Sequence, residues 1–203
     1  MSKIDFSESY LMTDAGKKES SRPVVRNFDR RVPIEVYSRL PRLPIIVALD
    51  NLRSSFNVGA IFRTAECGRI EMLYTCGITA HPPAERVVKT AMGAAEFVPH
   101  CHVKNTLDAV GAARERGARI VALETTDASR PLYAPWPREP VCLVLGNEAL
   151  GLDGKVLAEA DEIVEIPLLG YKNSLNVSVA FGVVLFEILR QWGELDRLPE
   201  HGG

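Results

Sequence analysis

Hydrophobic positions alternate between two periodicities from Pro44 onward. Ile45-Ile46-Val47-Ala48-Leu49 is an unbroken apolar run, the pattern of a strand covered on both faces. Ile120 to Leu123 and Val141 to Leu145 read the same way, and Ile70 to Cys76 and Ile163 to Ile166 also read as strands. Phe97-Val98-Pro99 reads as a brief extended piece. Between these runs the spacing turns helical. Asn57 to Cys67 puts Val58, Ile61, Phe62 and Ala65 on one side, and Ala84 to Ala95 predicts a short helix. Thr106 to Arg116 predicts another, with Gly117 as the residue that ends it. Ser174 to Trp192 predicts a long helix, apolar nearly all round. Thr125 to Pro140 holds Pro131, Pro135, Pro137 and Pro140 and reads as loop. Strands alternating with helices predict an α/β fold with a mainly parallel sheet and helices on both faces. Ligands in such folds sit beyond the carboxyl ends of strands. Segments 50–59, 77–84, 124–130, 146–152 and 167–176 are therefore where chemistry is expected.

Residues 1–43 lack this patterning and are punctuated by Pro23, Pro33 and Pro41, although Val32 to Leu40 can form a short helix. They read as an N-terminal arm, and 44–203 as one domain, since so short a stretch buries no core of its own. Charge sharpens the division. Residues 1–42 carry nine Lys/Arg against six Asp/Glu, leaving 15 against 20 for the rest. A basic arm suits a phosphate-bearing partner, with Arg22, Arg26, Arg30, Arg31, Arg39 and Arg42 as candidate contacts. With 46% hydrophobic and 25% charged residues the chain is neither disordered nor fibrous. The uncharged run Asn173 to Phe186 is too short for the roughly 20 residues of a membrane span. The first residues lack a signal peptide's apolar stretch, so a cytoplasmic location is expected. Cys67, Cys76, Cys101 and Cys142 form no C-x-x-C motif and are expected as free thiols.

The common nucleotide fingerprints are missing: neither G-x-G-x-x-G nor G-x-x-x-x-G-K-[ST] occurs. His100-Cys101-His102 is the one compact group of metal-type ligands, without a third or fourth ligand nearby. Structural histidines at a strand edge are the expectation there, and no metal is expected. Three strand-end segments remain. The first, Asp50 to Ala65, offers Asn57 as a helix cap and Arg63 six residues on. Both face one site only if Asn57 is the cap and Arg63 points back along the helix. In the second, Leu145 to Leu152, Gly146 permits close backbone approach, and Glu148 is expected in a following first helical turn. The third, Ile166 to Ala180, offers Ser174 as N-cap with Asn176 beside it.

Asn57-x-Gly59-x-x-x-Arg63-x-Ala65, Leu145-Gly146-Asn147-Glu148-Ala149-Leu150-Gly151-Leu152 and Ile166-Pro167-Leu168-Leu169-Gly170 through Ser174-Leu175-Asn176-Val177-Ser178-x-Ala180 resemble, in order and spacing, the three motifs of the SpoU-type RNA ribose 2′-O-methyltransferases of the SPOUT superfamily. The similarity runs from about Pro44 to Trp192, and Ala149 stands where a glycine is common. The resemblance implies an α/β domain with a C-terminal trefoil knot, against the general rarity of knots. It implies S-adenosylmethionine as cofactor, held at Gly146, Ile166 and Leu175, with Leu123 and Glu124 as further candidates. The implied reaction is methyl transfer to a ribose 2′-hydroxyl of tRNA or rRNA, by a homodimer packed through the last helix. Arg63, Asn57, Ser174, Asn176 and Glu148 are the implied catalytic residues. A sulfonium is already electrophilic, so the implied chemistry needs no metal.

The proton is the difficulty, because no histidine or carboxylate pair falls in the motifs. Arg63 either accepts it or, still charged, holds a phosphate and stabilises the developing alkoxide. A guanidinium loses its proton only at very high pH, so the first form requires strong desolvation, and both forms stand as expectations. Two rival expectations stand beside this one: a non-catalytic knot-fold RNA-binding module, and an unrelated α/β enzyme acting on a small nucleotide or metabolite.

Overall fold

In the computed structural model, which describes residues 37–197, the apolar runs become strands. These are β1 (Leu43–Asp50), β2 (Ile70–Cys76), β3 (His100–Val103), β4 (Arg119–Leu123), β5 (Arg130–Pro131), β6 (Val141–Leu145) and β7 (Glu162–Glu165). The helices are α1 (Ser55–Cys67), α2 (Glu85–Ala91), α3 (Thr106–Glu115), α4 (Gly154–Ala158) and α5 (Val177–Gln191). The sheet has seven strands in the order β3-β2-β1-β6-β4-β7-β5, with every neighbouring pair parallel.

β1 explains why its sequence is apolar without alternation. Ile45, Val47 and Leu49 pack with Val58, Ile61 and Phe62 of α1, Val87 of α2 and Phe181 and Leu185 of α5. Ile46 and Ala48 face the opposite layer, with Ala109, Val110 and Ala113 of α3 and Val156 of α4. Every β1 residue from Ile45 to Leu49 is at most 1% exposed, so a single polar substitution there strands an unsatisfied group on whichever face it meets. The chain leaves β1 toward β2 on one side, while β6 flanks β1 on the other. The resulting crevice lies beyond the carboxyl ends of β1 and β6.

Several local expectations differ. Phe97–Pro99 is a turn, and the strand follows it as β3, an edge strand pairing Leu73 with His100. An edge strand has one side in water, so its polar His-Cys-His text carries no apolar signal. The second helix ends at Ala91 because Met92 takes the left-handed conformation, with φ 49°, and a 3-10 turn follows at Ala94–Glu96. The proline-rich loop contains the two-residue strand β5, and α4 was not expected at all. Gly117 ends α3 with φ +74°, as its position predicts. Of the arm, Arg22, Arg26, Arg30 and Arg31 lie outside the described residues. Arg42 donates to the carbonyl oxygens of Ile70 (3.4 Å) and Phe97 (2.7 Å), which makes it a structural tie for the start of β1. No described helix is long and apolar enough to cross a membrane.

Candidate active site at the strand ends

Both helix starts near the crevice differ from the sequence expectation, and the difference builds the site. Ser54, not Asn57, caps α1: its hydroxyl accepts from the Asn57 amide at 3.3 Å. Asn57 is then in the first turn, and its side chain is released from capping duty. Asn176, not Ser174, caps α5, accepting from the Ser178 amide at 2.9 Å. Asparagine caps a helix as well as serine does, and this start leaves the Asn176 Nδ2 group free.

Those two released amides meet. Asn176 Nδ2 donates to Asn57 Oδ1 at 3.0 Å, and Asn57 Nδ2 donates to Glu148 Oε1 at 2.8 Å. Glu148 also accepts from the backbone amides of Arg53 (3.0 Å) and Ser54 (3.4 Å). It sits in a tight turn, not the expected helical one, closed by two backbone bonds between Asn147 and Gly151. One hydrogen-bonded chain thus links all three strand-end motifs across more than a hundred residues of sequence. Partial burial pushes the Glu148 carboxyl up, but the Arg53 amide, the Asn57 side chain and the Ser54 amide together outweigh it. They hold the group below the usual carboxylate range.

The candidate cofactor positions converge by register. Leu123 pairs with Leu145 on one side and Val164 on the other. Glu124, Gly146 and Ile166 therefore leave three adjacent strand ends together. Glu124 Oε2 accepts from the Leu152 amide at 3.1 Å and braces the Gly146–Gly151 turn. A Cβ on Gly146 would lie 2.6 Å from the Gly151 carbonyl carbon, so only glycine allows the turn to fold back this closely. Leu175 lies in the exposed stretch before α5. Ser174 is exposed there and makes no hydrogen bond with any described residue.

Arg63 is not brought to this chain of amides. Six residues at 100° per residue carry it about 240° around α1 from Asn57. It is exposed, with no hydrogen bond or ion pair among the described residues. Sequence reasoning missed Ser54, Ser178 and Asn147. Asn147 is buried; its Nδ2 donates to the Asn51 carbonyl at 2.6 Å and its Oδ1 accepts from Ala149 and Leu150. Its place inside the second motif was the available signal. His100 and His102 are on the edge strand as expected. His102 Nδ1 lies 3.1 Å from the Thr75 hydroxyl and its ring stacks on His81, so it is used structurally. Among the described residues no group of three or more His, Cys, Asp or Glu is placed to hold a metal ion.

A family model, the SpoU rRNA Methylase family, matches residues 44–186. The chain belongs to this family. It is 34% identical over 157 residues to the 23S rRNA (guanosine-2′-O-)-methyltransferase RlmB of Pseudomonas aeruginosa strain PAO1, covering 77% of this chain and 63% of that protein. The RlmB of a Burkholderia species is likewise 34% identical, with 60% of its length covered. The chain thus spans about three fifths of the curated relatives it matches. Among solved structures, an AdoMet-bound rRNA methyltransferase from Sinorhizobium meliloti superposes with TM-score 0.67 at 33% identity, covering 72% of this chain and 56% of that one. The A. aeolicus TrmH/SpoU tRNA modifying enzyme gives TM-score 0.66 at 29% identity, covering 78% and 83%. The parallel sheet layered by helices on both faces is the fold these two structures share with this chain.

Proposed function

We propose that this chain transfers a methyl group from S-adenosylmethionine to a ribose 2′-hydroxyl of ribosomal RNA or tRNA. The observation that carries the reading is the Glu148–Asn57–Asn176 chain, which ties the family's three motifs into one rigid surface at the strand ends. The residues present fit the cofactor: backbone groups beyond the last sheet bonds at Leu123, Gly146 and Ile166, the Glu124 carboxylate near a cationic ligand, and apolar Leu175 at the rim. When bound, the cofactor supplies an electrophilic methyl group on a sulfonium. The strand-end backbone groups would hold that methyl in line with the ribose 2′-oxygen, whose proton would leave to a base or to water.

The chain's own residues align and stabilise. Asn57 and Asn176 tie the two helix starts to each other; Ser174 and Asn176 face the RNA backbone in this reading. Glu148 holds the start of α1 by its amides, which positions Arg63 on the outward face of that helix. There the guanidinium grips a phosphate of the RNA, and it stabilises the developing alkoxide where the homodimer brings it to the other copy's strand ends. Alignment of two bound reactants supplies much of the rate, on the order of 7–11 kcal/mol in favourable cases.

The reading includes the trefoil knot that the resemblance implies and a homodimer. Supporting the dimer, Val179, Val183 and Phe186 form an exposed i, i+4, i+7 stripe on α5. Beside it lies an open apolar groove of about 440 Å³, lined by Leu132, Tyr133 and Pro167 among others. The 1–43 stretch serves as a basic arm toward RNA, and the protein works in the cytoplasm with its substrate. The non-catalytic RNA-binding module is the second reading, favoured by the separation of Arg63 from the Asn57 chain within one copy.

Transfer of labelled methyl from S-adenosylmethionine to total rRNA and, separately, to tRNA decides between them. Incorporation that disappears in Arg63→Ala supports the proposal. Cofactor and RNA binding without transfer favours the module, and absence of cofactor binding overturns the proposal.

A further inference from the structure

α1 begins beside a second surface that the site above does not use. Phe56 immediately precedes Asn57, yet its ring points away from the core and is 63% exposed, with no ring partner among the described residues. It lies at the mouth of a cleft of about 340 Å³ lined by Phe56, Glu85, Arg86, Lys89 and Thr90. That is within the size of small-ligand sites, about 300–1,000 Å³. The cleft exists because Gly59, on the same side of α1, lets α2 approach closely. A Cβ there would lie 2.5 Å from Thr90 Cβ. Arg86 and Lys89 are exposed, and neither has an ion-pair partner among the described residues. Thr90 is occupied within α2, donating to the Arg86 carbonyl at 2.8 Å.

An unpartnered aromatic face beside two unpaired cations matches the chemistry of an unstacked nucleotide. The ring offers a stacking platform to any base, and the cations neutralise its phosphate. The cleft is also rigidly registered to the strand-end site, because Glu148 holds the amides of Arg53 and Ser54 just before Phe56. We propose that this cleft holds an unpaired RNA nucleotide flanking the target ribose, its base stacked on Phe56 and its phosphate held by Arg86 and Lys89. The Glu85 carboxylate accepts from an amino group on that base, which favours cytosine, adenine or guanine over uracil. The inference rests on the proposed RNA methyl transfer.

The test measures binding of 5′-labelled single-stranded oligoribonucleotides, C10 and U10, by fluorescence anisotropy, alongside KM and kcat for methyl transfer to rRNA. Phe56→Ala and Phe56→Leu weaken binding roughly 5- to 150-fold, the span of one lost base–aromatic stack. Both raise KM with little change in kcat, and Phe56→Trp restores binding. The Arg86→Gln/Lys89→Gln double variant makes the log–log salt slope shallower by about 0.7, one phosphate's worth. Glu85→Gln narrows the gap between C10 and U10. Cofactor titration and thermal melting confirm the fold of each variant; should Phe56→Ala not fold, Phe56→Leu and the double variant carry the test. Binding and KM within twofold of wild type in Phe56→Leu and the double variant overturn the proposal. So does a change of sedimenting mass in the Phe56 variants, which would make the cleft a chain–chain interface. A wild type that methylates rRNA while these variants keep its KM removes the cleft alone. A wild type that neither methylates RNA nor binds the oligonucleotides removes the methyl-transfer reading and the cleft with it.

Discussion

Gly59→Ala tests whether the spacing of α1 and α2 is set by one missing side chain. The new Cβ would lie 2.5 Å from Thr90 Cβ, 2.9 Å from the Val87 carbonyl oxygen and 3.0 Å from the Ala91 nitrogen. Carbon contacts normally sit at about 3.5–4.0 Å, so α2 must withdraw by about 1 Å. Two of the three obstructing atoms are backbone, and no rotamer change relieves them. Overpacking of this kind costs about 1–3 kcal/mol, and these distances put it near 3. Alanine's better helix propensity returns about 1 kcal/mol. The net loss is about 2 kcal/mol, which lowers the melting temperature by about 4–8 °C for a domain of this size. Gly111→Ala is the control. It lies inside α3 on the exposed side, with nothing within 4 Å of the added carbon. There only the propensity gain operates, and stability rises by about 0.5–1 kcal/mol. Urea unfolding of both variants gives the two signs directly. A Gly59→Ala protein as stable as Gly111→Ala would refute the claim that this glycine sets the helix spacing.

Three further outcomes follow from the same network. Asn176→Ser keeps a cap for α5 but cannot reach Asn57, so methyl transfer falls while the melting temperature holds. Asn176→Ala also loses the cap, about 1 kcal/mol, and a fully active serine variant would show that the amide bridge has no role. In the wild type the Glu148 carboxyl is held low, so its hydrogen bonds stabilise above the ordinary glutamate range and are lost as pH falls through the lowered value. Asn57→Asp sets a second carboxylate against it and raises at least one of the pair. The variant's stability deficit should therefore shrink between about pH 6 and pH 4, and a deficit constant with pH contradicts the contact. Burial pushes the Cys76 thiol up to about 12 and raises Cys142 as well. A thiol reagent at pH 8 should accordingly label Cys101 and Cys67 in the folded protein and the other two only on unfolding; four fast-reacting thiols would contradict the burial.

The sequence by itself determined the layers. A strand buried on both faces has to be apolar at nearly every position, so β1, β4 and β6 were legible from their unbroken apolar runs, with β2 and β7 legible as strands beside them. Edge strands carry no such demand, which is why β3 surfaced three residues late and β5 not at all. The three motifs pointed to the strand ends where the candidate site forms, because glycine, asparagine and glutamate at those turns stand out against an apolar background. Which residue caps which helix was not legible. Ser54 and Asn57, like Ser174 and Asn176, are all competent caps, and local chemistry does not choose between them. The choice was made by contacts between elements far apart in sequence. Glu148 claims the amides at the start of α1, and Asn57 and Asn176 are aligned only once β1, β6 and α5 have packed together. The same packing turned Arg63 to the outside of α1. Helical spacing fixes the angle between two residues on one helix, but only the tertiary structure decides which of them faces the crevice.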